Sequence, residues 1–394
     1  MSISLSNRVQ SIKPSPTLAV TTRARELRES GKDVIGLGAG EPDFDTPQHI
    51  KDAGIKAIQD GFTKYTAVDG TPSLKQAIID KFKRDNDLDY KANQILVSAG
   101  GKQSIFNMIQ ALVNPGDEVI IPAPYWVSYP DIVKLADGVP VIIHAGIEQQ
   151  FKINPVQLEL AITDRTRLLF LNSPSNPTGA VYSREELAEL GELLKQHPDV
   201  LIATDDMYEH ILWTDEPFCN IAMACPELVD RTIVLNGVSK AYSMTGWRIG
   251  YCGGPAELIA AMKKIQSQST SNPTSISQVA AQAALEGEQS CIEPMLEAFK
   301  KRHDYVVEQL NSLPGVQCLS SDGTFYAFAD FRELIEDHHG LADDIELAEF
   351  LLNNAGVALV PGSAFGAEGY LRISYATSME QLETAIERIR EALV

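Results

Sequence analysis

Lys240 and Arg248 are the residues whose types and surroundings point most directly at chemistry. Lys240 follows the apolar, β-branched run Thr232-Ile-Val-Leu235, which predicts a buried strand, with Gly237 breaking it. The lysine therefore stands just past a strand's end, among small and hydroxylated neighbours. Burying a lysine is costly unless its pKa falls or its amine is used covalently. Arg248 lies in a second apolar run, Trp247-Arg-Ile-Gly-Tyr-Cys252, read here as a strand. A guanidinium cannot shed its charge there and needs a resident anion. A reactive amine and a phosphate-type clamp, eight residues apart, suggest a carbonyl compound that also carries a phosphate. A solvated loop lysine and an ion-paired arginine would write the same letters, so the other junctions of the chain decide.

Those junctions fall at the ends of predicted strands. Strand 95–98 runs into Gly100-Gly101-Lys102 and a helix from about Gln103 to Val113. Bare backbone amides at a helix start make an anion site, although the pair matches neither GxGxxG nor a Walker loop. Ala123-Pro-Tyr-Trp126 follows strand 118–121 and sets an aromatic at the same edge. Asn172-Ser-Pro-Ser-Asn176-Pro-Thr-Gly179 follows strand 167–172 and reads equally well as turn punctuation. Asp205 and Tyr208 close strand 200–204, where an open α/β sheet places ligand contacts and where a helix-capping aspartate is also common.

The elements that must hold these residues follow from periodicity. Short apolar runs at 95–98, 118–121, 139–144, 167–172, 200–204 and 232–235 alternate with helical stripes, one opened by the capping box Ser183-Arg-Glu-Glu186. Strands apolar on both faces and separated by helices predict a largely parallel sheet covered on both sides. Thr71-Pro72 is a helix start. After Pro255 the stripes at 256–267, 275–287 and 293–312 are helical. A closing α+β segment has strands near 324–329, 357–360 and 370–375 and helices near 343–354 and 379–393. Helix 18–28 and strand 34–37 are expected to return to that segment. The predicted organisation is a large α/β domain at 48–288 and a small α+β domain from 1–47 and 289–394.

With 394 residues and 44% hydrophobic content the chain can bury a full core. A net charge of −20 argues against nucleic acid or an anionic membrane as partner. Five scattered cysteines without a CxxC pair fit reduced thiols and give no metal pattern. No apolar run approaches a membrane span and the N-terminus has no signal-like core, so a cytoplasmic protein is expected.

The order Asn176, Asp205-x-x-Tyr208, Ser-x-Lys240, Arg248 resembles the class I aminotransferases of fold type I. The motifs Ala39-Gly-Glu-Pro-Asp-Phe-Asp-Thr-Pro47, Ser173-Pro-Ser-Asn-Pro-Thr-Gly179 and Met244-Thr-Gly-Trp-Arg-Ile-Gly-Tyr251 are similar to a bacterial aspartate aminotransferase subgroup that includes thermophile enzymes. The likeness runs from Lys13-Pro-Ser to Arg372-Ile-Ser-Tyr-Ala-Thr377. Two departures are Asp206, where the family more often has glutamate, and Gly237, where some relatives have serine.

The resemblance implies pyridoxal 5′-phosphate as cofactor and Lys240 as the amine that holds it and then moves the substrate's Cα proton. It implies Asp205 at the pyridine nitrogen, Tyr208 and Asn176 on the ring oxygen, and Trp126 stacked on the ring. Arg248, Gly100, Gly101 and Lys102 fall at the phosphate end, with Tyr65 reaching in from the second subunit of a homodimer. Arg372 would fork the substrate's α-carboxylate, a task lysine serves badly. Gly40 would add backbone, and Lys102 with Thr17 would meet the side-chain carboxylate. The implied activity is transfer of the amino group of L-aspartate to 2-oxoglutarate. Prephenate, aromatic or broad-specificity transamination on the same fold is the alternative.

Overall fold

The computed structural model describes residues 3–337 and 340–393. Among them, seven strands form the central sheet, in the spatial order Ile95–Ser98, Gly250–Gly253, Thr232–Gly237, Leu201–Asp205, Thr166–Asn172, Glu118–Ala123, Val139–His144. Neighbours from Thr232–Gly237 to Val139–His144 run parallel, while Gly250–Gly253 is antiparallel to both its neighbours. The apolar runs explain the burial. Leu168 and Phe170 face one way, onto Ile105, Met108 and Ile109 of helix Gly101–Leu112 and Met262 of helix Ala256–Ser267. Leu169 and Leu171 face the other way, onto Leu187, Leu190 and Leu194 of helix Arg184–Leu194. A sheet covered on both faces has no polar alternation to show in its sequence.

Local signals place the helix starts. The Ser183 hydroxyl accepts from the Glu186 amide and the Glu186 carboxylate accepts from the Ser183 amide, closing the capping box. Thr71 caps helix Pro72–Asn86 by accepting from the Leu74 amide. At the C-terminal end, Val360–Pro361, Tyr370–Ser374, Tyr326–Asp330 and Gln317–Cys318 form an antiparallel sheet, with helices Glu293–Asn311 and Met379–Leu393. The early strand Ile35–Gly36 pairs in parallel with Val357–Ala358, and Ala24 and Leu27 of helix Pro16–Glu29 pack with Ala358. Among the described residues no helix is long and apolar enough to cross a membrane.

Two local expectations are corrected. Arg248 is not in a strand: Thr245–Trp247 forms a 3₁₀ turn, Arg248 has φ +56°, and the strand starts at Gly250. The left-handed residue turns the guanidinium back, so that it donates to the Thr245 carbonyl at 2.9 Å. Nor does Gly237 break its strand. It is the last strand residue, paired with Gly250, and a Cβ there would sit 3.1 Å from the Gly250 Cα. Glycine at this position lets the two strands close up.

Candidate active site

The parallel strands end together, and their carboxyl ends deliver the side chains singled out in the sequence. Asp205 is the last residue of its strand, in register with Asn172 on one side and Leu235 on the other. Lys240 lies three residues beyond the end of strand Thr232–Gly237. A cleft of about 420 Å³ opens at this edge, ample for a small cofactor with its substrate. Gly40, Gly101, Lys102, Trp126, Asn176, Asp205, Tyr208, Lys240, Arg248 and Arg372 line it, with Thr17 and Leu18 at its mouth. Tyr65 does not: it is 92% exposed and stands outside the cleft of its own chain.

Asp205 is buried at the floor. The Tyr129 hydroxyl donates to its Oδ2 at 2.5 Å and the Met207 amide reaches Oδ1 at 3.4 Å. Burial pushes its carboxyl pKa above the usual carboxylate range, against the opposing pull of the Tyr129 bond and of Lys240. A buried carboxylate so placed is completed by a cation. Asp206 points away from the cleft, fully buried, and accepts from Thr204 and Asn220 at 2.6 Å each. Burial and the neighbouring Glu209 carboxylate push it up to about 8, so it stands neutral behind the site at pH 7.

Lys240 donates to the Gly40 carbonyl and lies 5.7 Å from the centres of the Tyr208 and Phe325 rings. Its amine opens onto the cleft yet is surrounded by protein. Burial, with Arg372 and Arg248 on the same side, brings the ammonium down to about 8, against Glu41 and Asp205. Lys102 is exposed along its stem, with its ammonium 4.9 Å from the centre of the Trp126 ring. Protein packed around that ammonium, and then Arg248, lower its pKa as well.

Arg372 is 2% exposed and fully enclosed. It donates to Asn176 Oδ1 at 2.9 Å and the Gly38 carbonyl at 2.7 Å, while its Nε is buried without a partner. Its guanidinium lies between two rings, 4.4 Å from the Tyr326 centre and 4.9 Å from that of Phe365. Among the described residues, Arg372, Arg248, Lys102 and Lys240 take part in no ion pair. A cleft rich in unpaired cations, in a chain of net charge −20, is built for a ligand with several negative groups. One anion seat is plain at Gly100. With φ +91° it suits only glycine, and a Cβ there would meet Arg248 Nη2 at 2.3 Å. Backbone and guanidinium thus converge beside the first amides of helix Gly101–Leu112, which have no partner within the helix.

Three contributors were not singled out in the sequence. Tyr129 comes from helix Tyr129–Leu135, an element absent from the strand-and-stripe reading. Tyr326 opens strand Tyr326–Asp330 and meets the Tyr208 hydroxyl at 2.9 Å. Glu41 lines the cleft and accepts from Thr245 at 2.7 Å.

These residues suit pyridoxal phosphate on observations of the chain itself. An anion seat, a buried carboxylate awaiting a cation and an amine of lowered pKa between them match the phosphate, ring nitrogen and aldehyde of that compound. Comparison with known proteins agrees. The family model for aminotransferase class I and II matches residues 32–389. An aspartate/prephenate aminotransferase of Nitrosomonas europaea is 63% identical, over 99% of each chain. The aspartate aminotransferase of Rhizobium meliloti superposes with a TM-score of 0.96 at 48% identity, covering 100% of this chain and 99% of that one. That of Thermus thermophilus, solved with maleate, gives 0.94 at 43%, covering 99% and 100%. The chain has the fold-type I architecture and belongs to the class I and II aminotransferases, transaminases that depend on pyridoxal 5′-phosphate.

Proposed function

We propose that the chain transfers the amino group of L-aspartate to 2-oxoglutarate, with Arg372 taking the α-carboxylate of either substrate and Lys102 selecting the dicarboxylic ones. The observation that carries this reading is the buried Arg372 guanidinium, held between two rings with no carboxylate of its own. Such a group is completed by a substrate carboxylate. Lys102, which lines the cleft with Thr17, supplies a second cation for the side-chain carboxylate.

When bound, pyridoxal phosphate supplies an aldehyde that takes up the amino group and a ring that accepts the electron pair left at Cα. Lys240 would hold the cofactor through its Nζ, and the same amine would take the Cα proton. A pKa near 8 suits that task, since the amine is then partly neutral at physiological pH. Asp205 would keep the ring nitrogen cationic, and Tyr208 and Asn176 would bind the ring oxygen. Trp126 would stack on the ring. Arg248 and the Gly100, Gly101 and Lys102 backbone would hold the phosphate, and Gly40 would border the substrate. Tyr65, exposed in the single chain, belongs to the neighbouring site of a cytoplasmic homodimer. Residues 48–288 act as the large domain, and 1–47 with 289–394 as the small one.

Prephenate transamination is the second reading. It is favoured by the name of the Nitrosomonas relative and by chemistry, since prephenate is also a dicarboxylic 2-oxo acid. The test is a substrate panel: aspartate, glutamate, alanine and phenylalanine as donors, then 2-oxoglutarate and prephenate as acceptors. Aspartate and glutamate should exceed alanine by at least about tenfold in kcat/KM, the worth of one lost charge-assisted contact. Equal use of alanine would remove the dicarboxylate reading.

A further inference from the structure

Tyr326 touches three separate parts of the cleft. It is fully buried against bulk solvent yet lines the cavity. Its hydroxyl lies 2.9 Å from the Tyr208 hydroxyl. Its ring forms one face of the Arg372 sandwich, at 4.4 Å. Its hydroxyl also abuts Gly40, where a Cβ would come within 2.8 Å of it, and the Gly40 carbonyl is the acceptor for Lys240. Strand pairing fixes this arrangement: Tyr326 is opposite Ser374, and Phe328 opposite Arg372, so Tyr326 and Arg372 rise from adjacent strands at neighbouring positions.

We propose that Tyr326 is a positioning residue that couples the substrate-carboxylate clamp to the phenol facing the cofactor. Its ring beds the Arg372 guanidinium, and its hydroxyl donates to Tyr208, leaving the Tyr208 proton for the ligand's ring oxygen. The direction of that bond follows from electrostatics. By distance either hydroxyl could donate, and the Arg372 guanidinium packed 4.4 Å from the Tyr326 ring makes that phenol the better donor. Occupation of the clamp and the hydrogen bonding of Tyr208 are therefore linked through a single side chain. This inference rests on the cofactor and substrate roles proposed above.

Two variants of the holoenzyme separate ring from hydroxyl. Tyr326→Phe keeps the ring under Arg372, so the affinity for succinate, a dicarboxylate that cannot react, should stay within about twofold. The pH midpoint of the cofactor's visible band should rise by about half to one unit, because Tyr208 binds the ring oxygen less well without its donor. Tyr326→Leu removes the ring, and succinate affinity should fall about threefold to thirtyfold in addition. A merely structural tyrosine would lower Tm without moving the midpoint. An unmoved midpoint in Tyr326→Phe, or equal succinate affinity in Phe and Leu variants, overturns the proposal. The midpoint needs no substrate, so it judges Tyr326 even if wild-type protein fails to respond to aspartate, an outcome that would count against the proposed activity instead.

Discussion

Replacing Tyr129 by phenylalanine isolates the contact that steadies Asp205. The Tyr129 ring is 2% exposed, stacked on Phe170 at 4.4 Å and edge-on to Trp126 at 5.3 Å. Phenylalanine keeps all of that packing and removes only the hydroxyl, so no cavity forms. What is lost is the 2.5 Å bond to Asp205 Oδ2, leaving the 3.4 Å contact from the Met207 amide. The hydroxyl holds the Asp205 carboxyl pKa down, so its removal raises it further. The carboxylate then competes with the cofactor's ring nitrogen for the proton that should stay on the ring. A hydrogen bond to a charged group contributes about 1.5–3 kcal/mol, which corresponds to roughly a tenfold to 150-fold loss in the proton-transfer step. The assay is a single-turnover reaction with L-aspartate, following the visible band by stopped flow, with Tm measured in parallel. A rate within about twofold of wild type would refute the assignment of Asp205 as a charge that must be held in place.

Lys102→Ala should raise KM for aspartate about tenfold or more while kcat/KM for alanine stays within about twofold, because only dicarboxylates use that ammonium; a uniform loss for both donors in steady-state kinetics would contradict it. Cofactor capture should depend on pH through Lys240. Only the neutral amine reacts, and the folded protein brings its pKa down to about 8, so the rate of pyridoxal phosphate uptake by cofactor-free protein should rise through pH 8 and level off by about pH 9. The same sign governs stability: the folded pKa lies below that of the unfolded chain, so this group's contribution grows as pH rises from about 8 towards about 10.4. A capture midpoint near 10, read by stopped-flow absorbance, would show an ordinary solvated lysine.

The parts legible in the sequence were those with local causes. Buried parallel strands announced themselves as apolar runs, and the Ser183 and Thr71 caps formed as their side chains predict. Residues at strand ends, such as Asp205 and Lys240, could be placed because an open α/β sheet brings those ends to one edge. Parts set by tertiary contact were not legible. Arg248 sits at φ +56°, a conformation that non-glycine residues adopt only when surroundings hold them, and a run of apolar letters gives no notice of it. Tyr129 and Tyr326 look like core aromatics in sequence, and their hydroxyls gain meaning only from Asp205 and Tyr208 across the fold. The buried pair Lys81 and Glu209, behind the Asp205–Tyr208 turn, was likewise invisible: Lys81 reads as a solvated helix residue yet its side chain is 1% exposed.

The central claim is that Lys240, of the two cleft lysines with lowered pKa, is the one that holds the cofactor. Borohydride reduction of the holoenzyme, followed by proteolysis and peptide mass mapping, tests it directly. The account predicts a phosphopyridoxyl label on the peptide containing Lys240, absent after incubation with excess L-aspartate and no oxo acid. A label on Lys102, or one that aspartate leaves in place, would contradict it.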